Sequence, residues 1–264
     1  MKGDFSMEQF TPEVTTKKAK IKRAEDSASL SMFKVFLWMG LGLLITGVIA
    51  LGMPDFLLFL INTMGMSTSA VNTTYITLMV VSSLLMLPSI ILMNLKAWRP
   101  KSVWMVIGYV TYCVGMGMLL SDTMMYLFMD SIATGTSFGL TISITFLATA
   151  GCFLLMGLFG AFTKKNLGVL VPFLLTLMIG AMIISLVNFF LRSNLIYWIV
   201  DFVMFAVILL VVAIDMGRIR RLAQSGGFSS ENNLAIYCAY SLYVDFINIF
   251  IRILYYVALA RRND

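Results

Sequence analysis

The sequence contains no histidine and only three cysteines, so side chains that commonly bind metals or move protons are scarce. Histidine is the commonest metal ligand and the commonest general base in proteins. Cys113, Cys152 and Cys238 lie far apart inside apolar segments, a pattern typical of neither a disulfide framework nor a metal site. We interpret them as small apolar packing residues and expect no cofactor and no protein-held metal.

Charged residues are scarce as well, and hydrophobic residues are abundant. Only 12% of the 264 residues are charged and 60% are hydrophobic, whereas soluble domains carry about 25% charged residues. Too few polar side chains remain to cover a water-facing surface, so lipid must supply part of the solvent. This composition excludes a soluble enzyme. The apolar runs are about 20 residues long and lack strand-like alternation, which indicates helices and not barrel strands.

Seven apolar runs are long enough to cross a bilayer, so we predict an all-α, polytopic membrane protein. Pro54 and Asp55 are expected to end the first run, and Pro88 is expected to kink the second. Residues 1–31 are polar, lack the apolar core of a cleaved signal peptide, and are predicted to form a mobile cytoplasmic tail. A transmembrane domain then occupies residues 32–264. The predicted spans cover residues 33–53, 75–94, 103–120, 138–162, 167–191, 195–215 and 234–259.

The formal net charge of +6 could indicate a nucleic-acid partner, but the basic residues form short clusters between apolar runs. The tail and the connections after the second, fourth and sixth spans are basic, whereas the connections after the first and third contain no lysine or arginine. This alternation predicts a cytoplasmic N-terminus and no nucleic-acid binding. Arg261 and Arg262 would then lie outside if the seventh segment crosses fully, and inside if it is re-entrant. We favour a full crossing, because 26 residues suffice to span.

Small residues four apart, Gly157 with Ala161 and Thr176 with Gly180, predict places where two helix backbones approach closely.

The most informative residues are ionisable groups inside the predicted spans, because a charge near the bilayer centre costs about 2.5–3.5 kcal/mol on insertion scales. Asp245 lies near the middle of the seventh span, and Asn248 and Arg252 follow on the same helix face. This polar stripe is expected to face the protein interior, so the last helix should be central. A purely structural contact between Asp245 and Arg252, or hydrogen bonding that fixes the register of the helix, is the alternative. Asp215 ends the sixth span, and Asp201 lies near the same face four turns earlier, with no role assigned.

Asp215 has two interpretations. It could sit at the headgroup boundary beside a nearby arginine, or it could meet Asp245 inside the bundle. Two carboxylates in a low-dielectric interior cannot both ionise cheaply, so such a pair would share a proton and sense pH. Hydrated carboxylates in a pore would also attract hard cations such as calcium.

Several segments resemble the Bax inhibitor family, also called the transmembrane BAX-inhibitor-motif family. The resemblance is to the bacterial type of this family. The most specific is Ser241–Phe250, SLYVDFINIF, which is similar to the last-helix signature of that family. Asp215–Arg220, DMGRIR, resembles the ending of its sixth helix. Val35–Gly47 and Phe162–Leu167 are similar to further family segments, so the resemblance extends from about residue 32 to 255.

The resemblance implies a seven-helix bundle in which the first six helices surround the last. It also implies a pH-sensitive calcium leak in which Asp215 and Asp245 form the sensing and gating pair. A basic residue at the cytoplasmic end of the second helix latches onto the pair in the family, and Arg99 is the candidate here, with Lys96 as the alternative.

Three residues depart from the family pattern. Ile214 stands where tyrosine is frequent, Arg252 where a neutral residue is frequent, and Tyr255 where the family has an arginine. A fixed cation near a pore carboxylate could repel calcium, so Arg252 argues against calcium conduction more than against the fold.

Two functions therefore remain open at this point. The first is a pH-gated cation leak, with calcium as the expected ion and the lipid bilayer as the surrounding partner. The second is a non-transporting regulator that binds a membrane protease or another membrane protein of a stress or cell-death pathway. An intramembrane protease is disfavoured because no Gly-x-Gly-Asp motif surrounds either aspartate. A proton-coupled carrier is disfavoured because no internal repeat stands out in the sequence.

The compact length favours a bacterial inner membrane, with the endoplasmic reticulum as the alternative.

Overall fold

The computed structural model describes the backbone of residues 11–94, 102–163, 165–225 and 231–262. Within these ranges the chain forms seven long α-helices and one short 3-10 turn over Leu167–Leu170. Each helix contains a segment long and apolar enough to cross a membrane, which confirms the all-α, polytopic architecture. The helices are α1 Thr11–Asn62, α2 Thr68–Asn94, α3 Ser102–Thr134, α4 Phe138–Phe162, α5 Val171–Leu191, α6 Asn194–Ser225 and α7 Glu231–Arg262.

Helix α1 does not end at Pro54, so that expectation was wrong. The helix continues through Pro54 to Asn62, and α2 likewise continues through Pro88. A membrane helix tolerates an internal proline because neighbouring groups and small local adjustments satisfy the freed carbonyl. At its other end α1 already includes the backbone of residues 11–31. Residues 1–10 lie outside the described residues, and the mobile cytoplasmic tail stays a prediction.

Helix α3 extends well beyond its predicted end at Leu120, as far as Thr134. Ser121 and Asp122 interrupt the apolar run in the sequence, but the Ser121 hydroxyl donates to the Met118 carbonyl at 2.6 Å. Because this hydroxyl is satisfied inside the helix, it does not end the helix.

Helix α7 is the most buried of the seven, as predicted. It packs against α1, α3, α4 and α6. The side chains of Ile236, Ala239, Leu242, Tyr243 and Ile249 have no solvent-accessible surface. The other helices present apolar side chains outward, and Phe189 and Phe190 on α5 are 75% and 77% exposed. Such an outward apolar surface requires lipid around it.

The two ends of α4 mark the two ends of the bundle, and an arginine from another helix bonds to α4 at each of them. At the end of α4, which we call the basic end and define by Lys165, Arg218, Arg220 and Arg221, Arg220 donates to the Ala161 carbonyl. At the start of α4, which we call the distal end, Arg261 donates to the Ser137 carbonyl at 3.2 Å and to Thr141 Oγ1 at 3.0 Å. Helix α4 is roughly 37 Å long at 1.5 Å per residue. Helix α7 is unbroken and ends at the distal end, as a full crossing requires.

Helices α4 and α6 approach most closely at Gly160. A Cβ added there would lie 2.0 Å from the Ala213 carbonyl oxygen of α6. The predicted small-residue contact at Gly157 is looser, since its nearest atom would be the Met216 methyl group at 3.2 Å. The predicted contact at Gly180 was wrong, because a Cβ there would meet nothing within 4 Å. Spacing identified small residues but not the side of the helix on which a neighbour lies.

Candidate functional site

Two polar contacts join α6 to α7, and the first involves Asp215. The hydroxyl of Ser241 on α7 donates a hydrogen bond to Oδ2 of Asp215 on α6. Asp215 is partly buried and lies at the start of the basic turn that ends α6. Its carboxylate therefore contacts another helix of the bundle, and its position relative to the headgroup boundary stays a prediction.

Asp245 follows Ser241 by one helical turn on the same face of α7. It is only 6% exposed, and its Oδ2 atom has no hydrogen-bond partner among the described residues. Four residues along a helix correspond to about 6 Å. Asp245 therefore lies about 6 Å further from the basic end than Ser241 does. A buried carboxylate oxygen without a hydrogen-bond partner in the described residues thus lies one helical turn from the serine that bonds Asp215. Whether the two acids act as a sensing pair stays a prediction.

The second contact between these helices involves Arg252, about two turns beyond Asp245. Arg252 forms an ion pair with Asp201 of α6 and also donates to the Asp201 carbonyl at 3.0 Å. Tyr256 donates to the other carboxylate oxygen of Asp201. The alternative contact between Asp245 and Arg252 was therefore wrong. Helices α6 and α7 run antiparallel, and the Ser241–Asp215 contact places the Asp201 region opposite the Arg252 region.

Asn248 is exposed, so the expectation that the whole polar stripe faces the interior does not hold for this residue. At 100° per residue Asn248 lies about 60° around α7 from Asp245, whereas Arg252 lies about 20° from it. Arg252 therefore lies near the buried face of α7, whereas Asn248 lies at the edge of that face, where its side chain is exposed.

Lys96 and Arg99, the two latch candidates, lie between α2 and α3 and outside the described residues. The latch stays a prediction from the family resemblance.

A cluster of hydroxyl-bearing side chains holds α1, α3 and α7 together, and the sequence did not point to it. Thr46 of α1 donates to the Cys113 carbonyl of α3 at 3.0 Å, and its oxygen lies 2.5 Å from the Tyr243 hydroxyl of α7. Because the single Thr46 hydrogen is used by a carbonyl that can only accept, Tyr243 is the donor in the second bond. The Tyr109 and Tyr243 rings meet edge to face at 5.9 Å. Tyr243 precedes Asp245 by two residues, so this cluster fixes the rotation of α7.

Gly42 is the sequence signal that could have located the cluster. A Cβ at this position would lie 2.0 Å from the Tyr109 hydroxyl, which donates to the Trp38 carbonyl at 2.9 Å. The glycine therefore makes room for a tyrosine from the neighbouring helix.

Two clefts of about 590 Å³ each open between α5 and α6. The cleft at the basic end is lined in part by Asp215, and the cleft toward the distal end by Asp201 and Arg252. Leu175 and Met178 line both, so the clefts adjoin. Each of the two α6 carboxylates is thus reachable from a cleft.

Seven long apolar helices, of which the most buried carries the acid Asp245, define a multi-pass integral membrane protein with ionisable groups in its interior. Residues 29–263 match the family described as Inhibitor of apoptosis-promoting Bax1. The chain therefore belongs to the Bax inhibitor family, which confirms the resemblance carried by its sixth and seventh helices.

Bacterial proteins are among its relatives. The inner membrane protein YbhL of Escherichia coli K12 is 34% identical over 117 residues, which are 43% of this chain and half of YbhL. An uncharacterized protein of Borreliella burgdorferi is 32% identical over 126 residues, about half of each chain. The uncharacterized protein YrjE of Lactococcus lactis is 25% identical over 239 residues, which cover 90% of this chain and 94% of YrjE.

Proposed function

We propose that this protein is a pH-sensitive cation leak, with calcium as the conducted ion and Asp215 and Asp245 as the sensing and gating pair. It resides in a bacterial inner membrane with its basic end and N-terminus in the cytoplasm. The activity is passive transport and involves no chemical conversion. The name of the relative YbhL supports the location, and the basic residues at one end of the bundle support the orientation.

The observation that carries the proposal is the buried Asp245 carboxylate with an oxygen that lacks a hydrogen-bond partner among the described residues. A buried polar atom without a partner costs about 1–3 kcal/mol, and more when it is charged. Membrane proteins that keep such a residue usually use it on an ion or proton path.

The position of Asp215 connects this acid to a conformational change. When a proton is shared between the two acids, α6 and α7 can stay packed through Ser241 and the pair. When both acids ionise, like charges from two helices repel inside a low-dielectric interior, and the packing between the helices loosens. The deprotonated acids then present oxygen ligands of the kind that calcium prefers.

The sequence suggested that the positive charge of Arg252 would oppose calcium conduction, but this charge has a partner in the structure. Its guanidinium is paired with Asp201, so the positive charge near the path is offset by a carboxylate at the same depth. The net field that Asp245 experiences from this pair is small compared with that of a free arginine.

The proposal is tested with the purified protein in liposomes that contain a calcium-sensitive dye. The calcium leak should rise as pH rises through the ionisation of the pair, and Asp245→Asn should abolish that pH response. Asp122→Asn is the matched control, because it removes a carboxylate that is exposed on α3. No flux above that of empty liposomes would refute the leak.

The same experiment separates the leak from the non-transporting regulator. A protein without flux that retains a stoichiometric membrane partner in crosslinking, unaffected by Asp245→Asn, would establish the regulator instead.

A further inference from the structure

The cleft at the basic end combines a charged mouth with apolar walls. Arg218 and Arg221 from α6 and Asn166 from the α4–α5 connection lie at its mouth. Leu174, Met178 and Val211 are among the apolar residues of its walls. A cleft of this kind matches a molecule that is anionic at one end and apolar along the rest of its length.

The two arginines are held in place by neighbouring groups. Arg221 donates from Nη1 to Asn166 Oδ1 at 2.5 Å and from Nε to the Gly217 carbonyl at 3.2 Å. A guanidinium has five N–H donors, so these two bonds leave three for an anion. The Arg218 guanidinium lies over the Tyr237 ring, 5.9 Å from its centre. Fixed arginines recognise phosphate groups well, because little side-chain freedom is lost on binding.

The length of the cleft matches one leaflet of a bilayer. Its lining on α6 extends from Arg221 to Val211, ten residues or about 15 Å at 1.5 Å per residue. The hydrocarbon core of a bilayer is about 30 Å thick, so each leaflet contributes about 15 Å. The arginines therefore lie at headgroup depth, and the apolar walls lie at the depth of an acyl chain.

The cleft holds about 590 Å³ and opens beside the outward apolar surface of α5. A single acyl chain is narrower than a helix, so the narrow cleft fits a lipid tail.

From these observations we infer that the cleft between α5 and α6 at the basic end is a binding site for one anionic phospholipid. Its phosphate is held by Arg218 and Arg221, and an acyl chain lies along Leu174, Met178 and Val211. Asp215 also lines the cleft, but it lies six residues, about 9 Å, deeper than Arg221 along α6. Its negative charge keeps the phosphate at the mouth. This inference does not depend on ion conduction.

The experiment is native mass spectrometry of the full-length protein in an uncharged detergent, with phosphatidylglycerol or phosphatidylcholine added. The first phosphatidylglycerol should bind roughly thirtyfold more tightly than phosphatidylcholine, because Arg218 and Arg221 each contribute about 1 kcal/mol near a lipid surface. The double variant Arg218→Gln/Arg221→Gln should lose this preference. Lys165→Gln should keep it, because Lys165 is an exposed cation at the same end that does not line the cleft.

Three results would overturn the inference. The wild type could show no preference for phosphatidylglycerol, or Lys165→Gln could lose as much preference as the double variant, which would indicate a diffuse basic surface. Glycerol phosphate or inorganic phosphate could also displace the lipid at comparable concentration, which would indicate a site for free phosphate. The comparison of lipids and the competition use the wild type, so they decide the question even if the double variant does not fold.

Discussion

Ser241 on the central helix donates a hydrogen bond to the Asp215 carboxylate, and Asp245 follows Ser241 by one turn on the same helix face. The serine therefore holds one acid while the other remains buried with an oxygen that lacks a partner in the described structure. About 10 Å further along α7, Arg252 and Asp201 form a second link between the same two helices. The first link lies one helical turn from a second buried acid, Asp245, whereas the second link joins opposite charges, so we expect pH to act on the first more than on the second.

Asp245→Asn should make the thermal stability of the protein less dependent on pH. Ionising Asp245 places a charge at a buried position one helical turn from the serine that bonds Asp215, so the packed bundle should be most stable at low pH and lose stability as pH rises. We expect the wild-type melting temperature in detergent to fall by roughly 2–4 °C for each kcal/mol of repulsion. The variant should lose this slope while Asp122→Asn retains it; equal slopes in all three proteins would contradict the prediction.

Breaking the ion pair between Asp201 and Arg252 should destabilise the packing of α6 against α7. Arg252→Gln leaves a partly buried carboxylate whose remaining donor in the described part of the chain is Tyr256, and Asp201→Asn leaves a partly buried guanidinium without its carboxylate. Groups in direct contact couple by about 0.5–3 kcal/mol. In a double-mutant cycle followed by thermal unfolding, the double variant should lose less than the sum of the single variants. Strict additivity would show that the pair contributes nothing.

Thr46→Val should destabilise the contact between α1 and α7, because the buried Tyr243 hydroxyl would lose its acceptor. An unsatisfied buried hydroxyl costs about 1–3 kcal/mol, whereas removing both partners can be nearly neutral. Adding Tyr243→Phe should therefore restore part of the lost stability. Unfolding of the single and double variants by a denaturing detergent measures this difference. A double variant that is less stable than Thr46→Val would show that the Tyr243 hydroxyl has another role.

Gly160→Ala should separate α4 from α6, because its methyl group would overlap the Ala213 carbonyl of the neighbouring backbone. Overpacking of this kind costs about 1–3 kcal/mol. Gly151→Ala on the same helix is the control, since a Cβ there would meet nothing within 4 Å, and alanine favours the helix. The melting temperature should fall for the first variant and stay level or rise for the second. Equal effects would mean that the close approach of α4 and α6 is not required.

The membrane architecture and the central position of α7 could be predicted because each depends on which residues a single segment contains. Long apolar runs must be helical in lipid, and a helix that carries Asp245 and Arg252 must turn them away from hydrocarbon. The ends of the helices were harder to predict. Ser121 and Pro54 are breaking signals by residue type, yet both lie inside helices, where local hydrogen bonds and neighbouring groups accommodate them.

The partners of the polar residues were not predictable from spacing. Asp245 and Arg252 are close on one helix, but Arg252 pairs with Asp201, which is 51 positions away in the sequence. Spacing along a helix states which residues share a face, whereas the neighbour on that face depends on how two helices are rotated and shifted against each other. The Thr46–Tyr243 bond has the same origin, since it joins the first helix to the last.

The sequence alone determined that the protein is a bundle of membrane-spanning helices with its last helix inside, because the exclusion of polar groups from lipid acts on every segment separately. Only the tertiary structure decided that Asp215 is bonded to Ser241, that Arg252 is paired with Asp201, and that Arg218 and Arg221 lie at the mouth of an apolar cleft. These contacts depend on the packing of several helices at once, and no single segment contains that information.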